Sequence, residues 1–461
     1  MKRRTFLGGI TGIACYREFL ANARAQGSSK APNLTIREIR SVRLRDGINN
    51  RFVRVYTDQG LTGTGEFMDT LGAEYLINNN FSPALAGRDP LDIEGIVYSL
   101  WQDRLPGGAP SAVFVRGLGG PYLTAISGVE MALWDLAGKA MDVPIYRLLG
   151  GRVRDRVPIY LHAVDAAEAK KLIAETKCAG LKLGIDYRPW ESTIRKGTEP
   201  EKSFNIHLNN SQTDDIVALV ASVREAVGRD YDLMLECHTR FDTESAIQLC
   251  HLLEPYRLTW VEEPIPPDNP DAMAKIRSQT RVPIAAGENI YTRSGYRPFL
   301  EKQALSIIQP DMCKTGGLLE ARKIAAMAET YYIPVAPHGV ASPLGTMAYA
   351  HVSSVIPNLL MLEWTHYLNQ SLTSLTEPVA LSDGRLAPSA KPGIGVALND
   401  EAELFRLARR DFAPRLRGDR EVALRAIGFQ PRHSRTLRYS LPTSTRISIT
   451  TSTVPSRPEG P

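Results

Sequence analysis

Short apolar stretches, most of which end in a polar residue, recur through the middle of the chain, and this repeat restricts the possible folds more than any other feature. Amphipathic segments with helical spacing separate the stretches, so neighbouring strands must run in the same direction. Eight such strand–helix units predict a (β/α)-barrel over residues 155–365. The eight stretches are VPIYLHAV, GLKLG, DLMLE, LTWVEE, VPIAAGE, SIIQPD, IPVAPH and LLMLE.

The spacing of the polar residues at the strand ends supports the barrel. Glu236, Glu262 and Glu288 follow one another at intervals of 26 residues, which is the length of one βα unit. Polar residues at the carboxyl ends of such strands converge where barrel enzymes hold their chemistry. Intervals of 23, 27 and 25 residues then lead to Asp311, His338 and Glu363.

An α+β domain is predicted over residues 33–150, before the barrel. Its first part, IREIRSVRLRDG, RFVRVYTDQG and LTGTGEFMD, has the alternation and turns of a three-stranded antiparallel meander. Its second part has apolar residues at helical spacing. A polar insertion at 187–212 separates Lys182 from Glu236, and unusual length at a barrel mouth is often functional, although a surface insertion without a role is the alternative.

Both ends of the chain differ from its centre. The start MKRRTFLGGITGIAC has paired arginines and a short apolar run, and an Ala-Arg-Ala sequence ends at Ala25. This pattern predicts a twin-arginine export signal at 1–25 and a periplasmic location, whereas without such a signal the protein would be cytoplasmic. Residues 431–461 are rich in Ser, Thr, Pro and Arg and are predicted to form a disordered basic tail.

The composition argues against several functional classes. The net charge is +5, but twelve arginines and four acidic residues follow Leu404, so the rest of the chain is slightly negative and is not expected to bind nucleic acid. No apolar run of about 18 residues occurs beyond the N-terminus, so no membrane span is expected. The five cysteines lack CxxC spacing, which argues against a zinc site or a disulfide framework.

Three carboxylates at successive strand ends would repel one another unless a cation lay among them. Carboxylate oxygens are ligands that Mg²⁺ prefers, so Glu236, Glu262 and Glu288 predict a magnesium site. His238 lies two residues after Glu236. Because side chains two apart share one face of a strand, we expect this imidazole beside the first metal ligand.

Seven motifs occur in a fixed order along the chain, namely LKLG, LMLECH, WVEEPIPPDN, IAAGENIYTR, QPDMCKTGGLLEARKIA, PVAPHG and LMLEW. Together they resemble the mandelate racemase-like branch of the enolase superfamily, over about residues 34–399. The resemblance implies a modified TIM barrel with the α+β domain as a cap, to which segment 366–430 returns. It also implies a homo-oligomer.

The resemblance implies a magnesium-dependent reaction that begins by removing a proton next to a substrate carboxylate. His338, oriented by Asp311, would be the base. Glu363 would donate a hydrogen bond to the substrate carboxylate, and Lys182 would neutralise it. Glu236 departs from the aspartate that the family mostly has at this position. The metal ligands would be Glu236, Glu262 and Glu288.

The absence of a second lysine distinguishes between the reactions of this branch. Racemases carry a Lys-x-Lys pair, whereas this chain has Lys182, Leu183 and Gly184, and glycine cannot accept a proton. A single base favours a sugar-acid dehydratase that expels the 3-hydroxyl group and forms a 2-keto-3-deoxy acid. By resemblance to acid-sugar dehydratases, His238 would protonate the leaving hydroxyl; alternatively, it orients a substrate hydroxyl.

Two other functions remain open at this point. The chain could be a racemase or epimerase of a 2-hydroxy acid that uses His338 and a second base such as His238. It could also be an exported protein that binds sugar acids without activity. No role is assigned to His162, His251, His351, His366 or His433.

Overall fold

The computed structural model describes residues 33–43, 51–68, 70–101, 119–185, 207–366 and 377–398. The predicted export signal at 1–25 and the predicted tail at 431–461 lie outside these residues, as does most of the predicted insertion at 187–212. The end of that insertion is helical, because Asn209 and Gln212 form a capping box that starts a helix at Asn210. Among the described helices, none has the length and apolar character needed to cross a membrane.

Three antiparallel strands open the structure: β1 (Ile36–Arg43), β2 (Arg51–Thr57) and β3 (Thr62–Phe67). The central strand is β2, which pairs with both neighbours. Gly60 lies in the turn between β2 and β3 with a φ of 82°, which glycine adopts without steric cost. The predicted meander is therefore confirmed.

Helices complete this part of the chain. They are α1 (Ala73–Tyr75), a π-helix (Leu76–Phe81), α2 (Ser82–Leu85), α3 (Ile93–Trp101), α4 (Pro121–Ala140) and α5 (Ile145–Leu148). Helix α4 packs directly on β3 at two glycines. A Cβ atom on Gly63 would lie 2.0 Å from the Ala132 carbonyl oxygen, and one on Gly65 would lie 2.3 Å from the Gly128 oxygen. Side chains at these two positions would therefore separate the helix from the sheet.

Strands and helices alternate from residue 157. The strands are β4 (Val157–Ala163), β5 (Gly180–Gly184), β6 (Asp232–Glu236), β7 (Trp260–Glu262), β8 (Ile284–Ala286), β9 (Ile307–Ile308) and β10 (Leu362–Glu363). They run parallel in the order β10-β4-β5-β6-β7-β8-β9. The helices are α6 (Ala166–Thr176), α7 (Asn210–Val227), α8 (Thr243–Leu253), α9 (Pro270–Gln279), α10 (Thr292–Glu301), α11 (Leu318–Glu329) and α12 (Pro343–Val355), with a 3₁₀ turn at Glu254–Tyr256.

The seventh predicted barrel strand, IPVAPH, is not a regular strand. Val335 alone forms parallel bridges, to Ile308 in β9 and to Leu359 before β10. Prolines at 334 and 337 flank this position and lack the N–H group that a longer ladder needs. The two bridges nevertheless close the ring of strands, since β10 pairs in parallel with β4.

The barrel interior is filled by seven buried side chains that lie on the strands or directly beside them: Tyr160, Met234, Trp260, Ala285, Ile307, Ala336 and Met361. The Tyr160 and Trp260 rings meet edge to face with their centroids 5.4 Å apart. Glu236 and Glu262 lie two residues after Met234 and Trp260 on their strands. Because side chains alternate along a strand, both carboxylates lie above this apolar layer.

Residues 377–398 contact both parts of the described chain. Strand β11 (Arg385–Leu386) pairs antiparallel with β4. The backbone N–H of Ile394 donates a hydrogen bond of 2.9 Å to Asp135 Oδ1 on α4. These residues therefore join a barrel strand to the long helix of the N-terminal part.

We predict that Gly63→Ala lowers the free energy of unfolding by about 1–3 kcal/mol, the usual cost of overpacking. The added methyl group meets the backbone of α4 and the Leu136 Cβ at 2.6 Å, neither of which can rotate away. Urea unfolding followed by circular dichroism measures the change. The control is Gly295→Ala in α10, where the nearest atom, a methyl group of Ile290, is 3.3 Å from the added Cβ. Equal stabilities for the two variants would contradict this packing.

Candidate active site

A cavity of about 430 Å³ opens at the carboxyl end of the barrel strands. Five of the eight predicted site residues line it, and the other three contact these five. Its lining consists of His162, Val164, Glu168, Lys182, Glu236, His238, His338, Val340, Glu363 and His366.

Lys182 lies among three buried glutamates. Its Nζ is 2.6 Å from Glu262 Oε1, 2.7 Å from Glu363 Oε1 and 3.2 Å from Glu236 Oε2. All four residues are about 1% exposed. The strand register explains the meeting, since Lys182 lies beside Met234, and Glu236 lies beside Glu262 on the next pair of strands. The predicted Lys182 and three of the predicted carboxylates are thus brought together.

The pKa values of Glu236 and Glu262 are shifted in opposite directions in this arrangement. Burial and the negative charge of Glu262 raise the pKa of Glu236 well above its usual value. Burial would also raise the pKa of Glu262, but the positive charge of Lys182 and a hydrogen bond with Glu236 hold it below its usual value. Two ionised carboxylates buried side by side therefore need more positive charge than one lysine supplies.

Asp311 and His338 form the predicted pair. His338 Nδ1 is 2.6 Å from Asp311 Oδ2, and both side chains are buried. Tyr349 on α12 donates its hydroxyl to Asp311 Oδ1 at 2.8 Å, and the Cys313 N–H donates to the same oxygen at 2.7 Å. The sequence patterns did not indicate Tyr349, because its contact spans 38 residues and follows no local period.

Glu288 approaches the same imidazole from the other side. Its Oε2 is 2.7 Å from His338 Nε2, and its Oε1 accepts a hydrogen bond of 2.9 Å from Asn289. Burial would raise the pKa of Glu288, but His338 and Lys314 hold it well below its usual value. Burial opposes protonation of His338, yet the charges of Glu288 and Glu363 raise its pKa well above the usual value.

Glu363 is an acceptor in this structure. Besides Lys182, it contacts His162 Nε2 through Oε1 and accepts a hydrogen bond of 2.9 Å from the Gly339 N–H through Oε2. Burial would raise the pKa of Glu363, but Lys182, His338 and His162 hold it well below its usual value. An ionised carboxylate cannot donate the hydrogen bond expected for Glu363 unless it first takes up a proton.

His162 belongs to the site, although the sequence analysis gave it no role. It lies directly beside Lys182 in the pairing of β4 with β5, and its side chain lines the cavity. The sequence did contain a pattern that indicates its position: His162 is two residues after Tyr160, and alternation places both on the inner face of β4. Treating His162 as an isolated strand residue overlooked that relation.

His238 lines the cavity as expected, but the strand argument for its position is wrong. Strand β6 ends at Glu236, and His238 and Thr239 adopt left-handed conformations with φ angles of 45° and 60°. The backbone N–H of His238 donates a hydrogen bond of 2.7 Å to Glu236 Oε1. A turn that folds back on Glu236, and not a continuing strand, therefore carries the imidazole to the cavity.

Two family models match the chain. The N-terminal domain of mandelate racemase and muconate lactonizing enzyme matches residues 46–150. The enolase C-terminal domain-like model matches residues 165–402. The chain belongs to the enolase superfamily. It lies in the mandelate racemase/muconate lactonizing enzyme branch, so the resemblance seen in the motifs is confirmed.

Curated relatives of this enolase-superfamily chain include two dehydratases. D-xylonate dehydratase of Haloferax volcanii is 41% identical over 76% of this chain and 83% of the relative. D-galactonate dehydratase of Pectobacterium atrosepticum is 35% identical over 77% of this chain and 90% of the relative.

Solved structures confirm the predicted modified TIM barrel with an N-terminal capping domain. A mandelate racemase/muconate lactonizing enzyme-like protein from Rubrobacter xylanophilus has a TM-score of 0.70 and 34% identity, covering 81% of this chain and 97% of that chain. An enolase-superfamily member from Salmonella Typhimurium has a TM-score of 0.72 and 27% identity, covering 81% of this chain and 98% of that chain.

The glutamates of this enolase-superfamily site fit a hard divalent cation by donor chemistry. Glu236, Glu262 and Glu288 offer carboxylate oxygens. The raised pKa of Glu236 indicates a deficit of positive charge among them. Within the described residues, no three His, Cys, Asp or Glu side chains are grouped closely enough to hold a metal. Lys182 and His338 instead engage these glutamates, so binding a cation would require the carboxylates to turn toward one point.

Proposed function

We propose that this chain is a sugar-acid dehydratase, a hydro-lyase that removes the proton next to a substrate carboxylate and eliminates the 3-hydroxyl group. The product would be a 2-keto-3-deoxy acid. One observation carries the proposal: His338, held by Asp311, and His238 line one cavity, whereas Gly184 offers no second base. The names of the two curated relatives, dehydratases of D-xylonate and D-galactonate, support this substrate class.

His338 is the base in this proposal. Asp311 accepts the Nδ1 proton, so Nε2 is the nitrogen that can take the proton from the substrate. Tyr349 in turn orients Asp311. Because the charge of Glu288 raises the pKa of His338, withdrawal of that charge would favour the neutral imidazole that a base requires.

His238 is the acid in this proposal. Breaking the α C–H bond leaves its electron pair on the substrate and its proton on His338. As the C3–O bond breaks, His238 donates a proton to the departing oxygen, which leaves as water. The resulting enol then tautomerises to the 2-keto acid. The partial exposure of His238 at the cavity suits contact with a substrate hydroxyl.

Positive charge must balance the negative charge that develops on the substrate carboxylate. We place Lys182 and His162 beside this carboxylate, because both line the cavity and meet at Glu363. A bound Mg²⁺, held by Glu236, Glu262 and Glu288, would supply electrostatic stabilisation of that developing charge.

A racemase or epimerase is the second candidate, because His238 and His338 share a cavity and could act as two bases. The two functions give different products from one substrate. A dehydratase forms a 2-keto-3-deoxy acid, whereas an epimerase returns a sugar acid inverted at the α-carbon. An inactive binding protein would form neither product.

We predict that a chelator abolishes turnover and that Mg²⁺ raises the melting temperature of the metal-free protein. Ligand binding to the folded state stabilises it by about 2.7 kcal/mol at a hundred times the Kd. Glu262→Gln should remove both effects, because the amide carries no charge for the cation. Dehydration assays and thermal unfolding at increasing Mg²⁺ measure them. Glu244→Gln, an exposed glutamate paired with Lys275, is the control and should behave as wild type. Full turnover of the metal-free protein would refute magnesium dependence.

We predict that His338→Asn and His238→Asn affect different steps. Without its base, His338→Asn should lose both dehydration and exchange of the substrate α-proton with solvent deuterium. His238→Asn should slow dehydration by about 10²- to 10⁴-fold, the usual contribution of a positioned acid, while α-exchange continues. Mass spectrometry of recovered substrate and a keto-acid assay follow the two steps.

The control for these variants is His251→Asn, since His251 lies on α8 and contacts the Gln279 carbonyl away from the cavity. It should leave both reactions unchanged. Loss of exchange in His238→Asn and its retention in His338→Asn would reverse the two assignments. Normal dehydration in both variants would exclude both histidines.

A further inference from the structure

Glu66 is a buried glutamate of the N-terminal part that binds the start of a barrel helix. It lies on β3 and is 2% exposed. Its Oε1 accepts a hydrogen bond of 2.8 Å from the Ser342 N–H, and its Oε2 accepts one of 3.0 Å from the Gly345 N–H. The Ser342 hydroxyl donates a third, short hydrogen bond to Oε2. One carboxylate thus binds three donors at the amino end of α12.

The geometry at this helix end has little tolerance for change. The first N–H groups of a helix have no partners within it, and its amino end favours negative charge. A Cβ atom on Gly345 would lie 2.6 Å from Glu66 Oε2, so the carboxylate approaches the backbone only because residue 345 is glycine. Ser342 itself is fully buried.

Helix α12 is linked to the His338–Asp311 pair in two ways, by the chain itself and by a hydrogen bond. His338 lies four residues before Ser342, in the segment that leads into the helix. Tyr349 follows Ser342 by seven residues, about two helical turns, and its hydroxyl donates to Asp311. A shift at the start of α12 would therefore displace the loop that carries His338 and the tyrosine that orients Asp311.

We infer that Glu66 is a positioning residue for the dehydration reaction: by fixing the start of α12, it holds the base His338 and its partner Asp311 in the reactive geometry. This inference rests on the proposed function, because it assumes that His338 acts as the base. The N-terminal part of the chain would therefore contribute to the chemical step by positioning α12, and not by contacting the substrate.

Glu130 provides a matched comparison. It also lies in the N-terminal part, is 1% exposed, and accepts backbone hydrogen bonds of 2.7 Å and 3.0 Å from Leu318 and Leu319 at the start of α11. In the described part of the chain, no side chain of α11 forms a hydrogen bond with His338 or Asp311. Loss of Glu130 should therefore weaken the attachment between the two parts without disturbing the pair.

The test compares Glu66→Gln with Glu130→Gln under dehydration conditions with saturating Mg²⁺. Both should lower the melting temperature, because an amide turns an N–H group toward backbone donors. At a temperature where circular dichroism shows both variants fully folded, Glu66→Gln should lower kcat by about 10- to 100-fold, the effect of a displacement of about 1 Å at a reacting group. KM should stay within about twofold, and Glu130→Gln should keep the wild-type kcat.

A double-mutant cycle with Tyr349→Phe identifies the route of the effect. If Glu66 acts through α12, the losses in kcat from Glu66→Gln and Tyr349→Phe should be less than multiplicative when combined, because both release the same contact. Ser342→Ala removes the hydroxyl that binds Glu66 and replaces Glu66→Gln in the comparison if the latter does not fold.

Three results would overturn the inference: an unchanged kcat in Glu66→Gln, an equal loss in Glu130→Gln, or a change confined to KM. Wild type and His338→Asn are assayed in parallel. An inactive wild type, or an active His338→Asn, would refute the proposed function itself. An active wild type with an inactive His338→Asn and an unaffected Glu66→Gln would refute only the role of Glu66.

Discussion

The ammonium group of Lys182 lies among three buried glutamates at the carboxyl end of the barrel, and the neighbouring protonation states follow from that contact. Removing charges from water is costly unless they are paired and hydrogen-bonded. Lys182 satisfies this condition for Glu262 and Glu363, whose pKa values are lowered, but Glu236 keeps a raised pKa. The site therefore buries more potential negative charge than its own cations neutralise, which is the electrostatic reason to expect a divalent ion there.

The N-terminal part of the chain satisfies its buried carboxylates differently. Glu66 and Glu130 bind backbone N–H groups at the starts of α12 and α11, and Asp135 binds the N–H of Ile394. Lys139 also pairs with Asp135 at 2.6 Å. The backbone donors carry no formal charge, so the contacts of Glu66 and Glu130 with them depend on the positions of the helix starts. Because α12 follows the segment that carries His338 and supplies Tyr349 to Asp311, attachment of the cap through Glu66 and alignment of the base pair are parts of one arrangement.

Most of the barrel and most of the site were predictable from the sequence, because two simple periods determine them. The length of a βα unit places Glu236 and Glu262 at successive strand ends, and alternation along each strand turns both above the apolar interior. Alternation fails where the backbone leaves the extended conformation. His238 reaches the cavity through a left-handed turn, and the strand expected around Val335 is reduced to two bridges. Contacts between distant segments, such as that of Glu66 with Ser342 across 276 residues, follow neither period.

The protonation of Glu363 was unpredictable for a related reason, since it depends on His162 and Lys182 from two other strands. The residues that distinguish a dehydratase from a racemase, in contrast, lie at positions that are neighbours in the strand register. Gly184 on β5 pairs with Glu236 on β6, and alternation places it on the same inner face as Lys182. A lysine at 184 would project into the cavity beside Glu236, whose carboxylate holds the turn that carries His238. The proposed elimination therefore depends on two features at one pair of strand ends. A second base is absent from β5, and an acid, His238, follows β6.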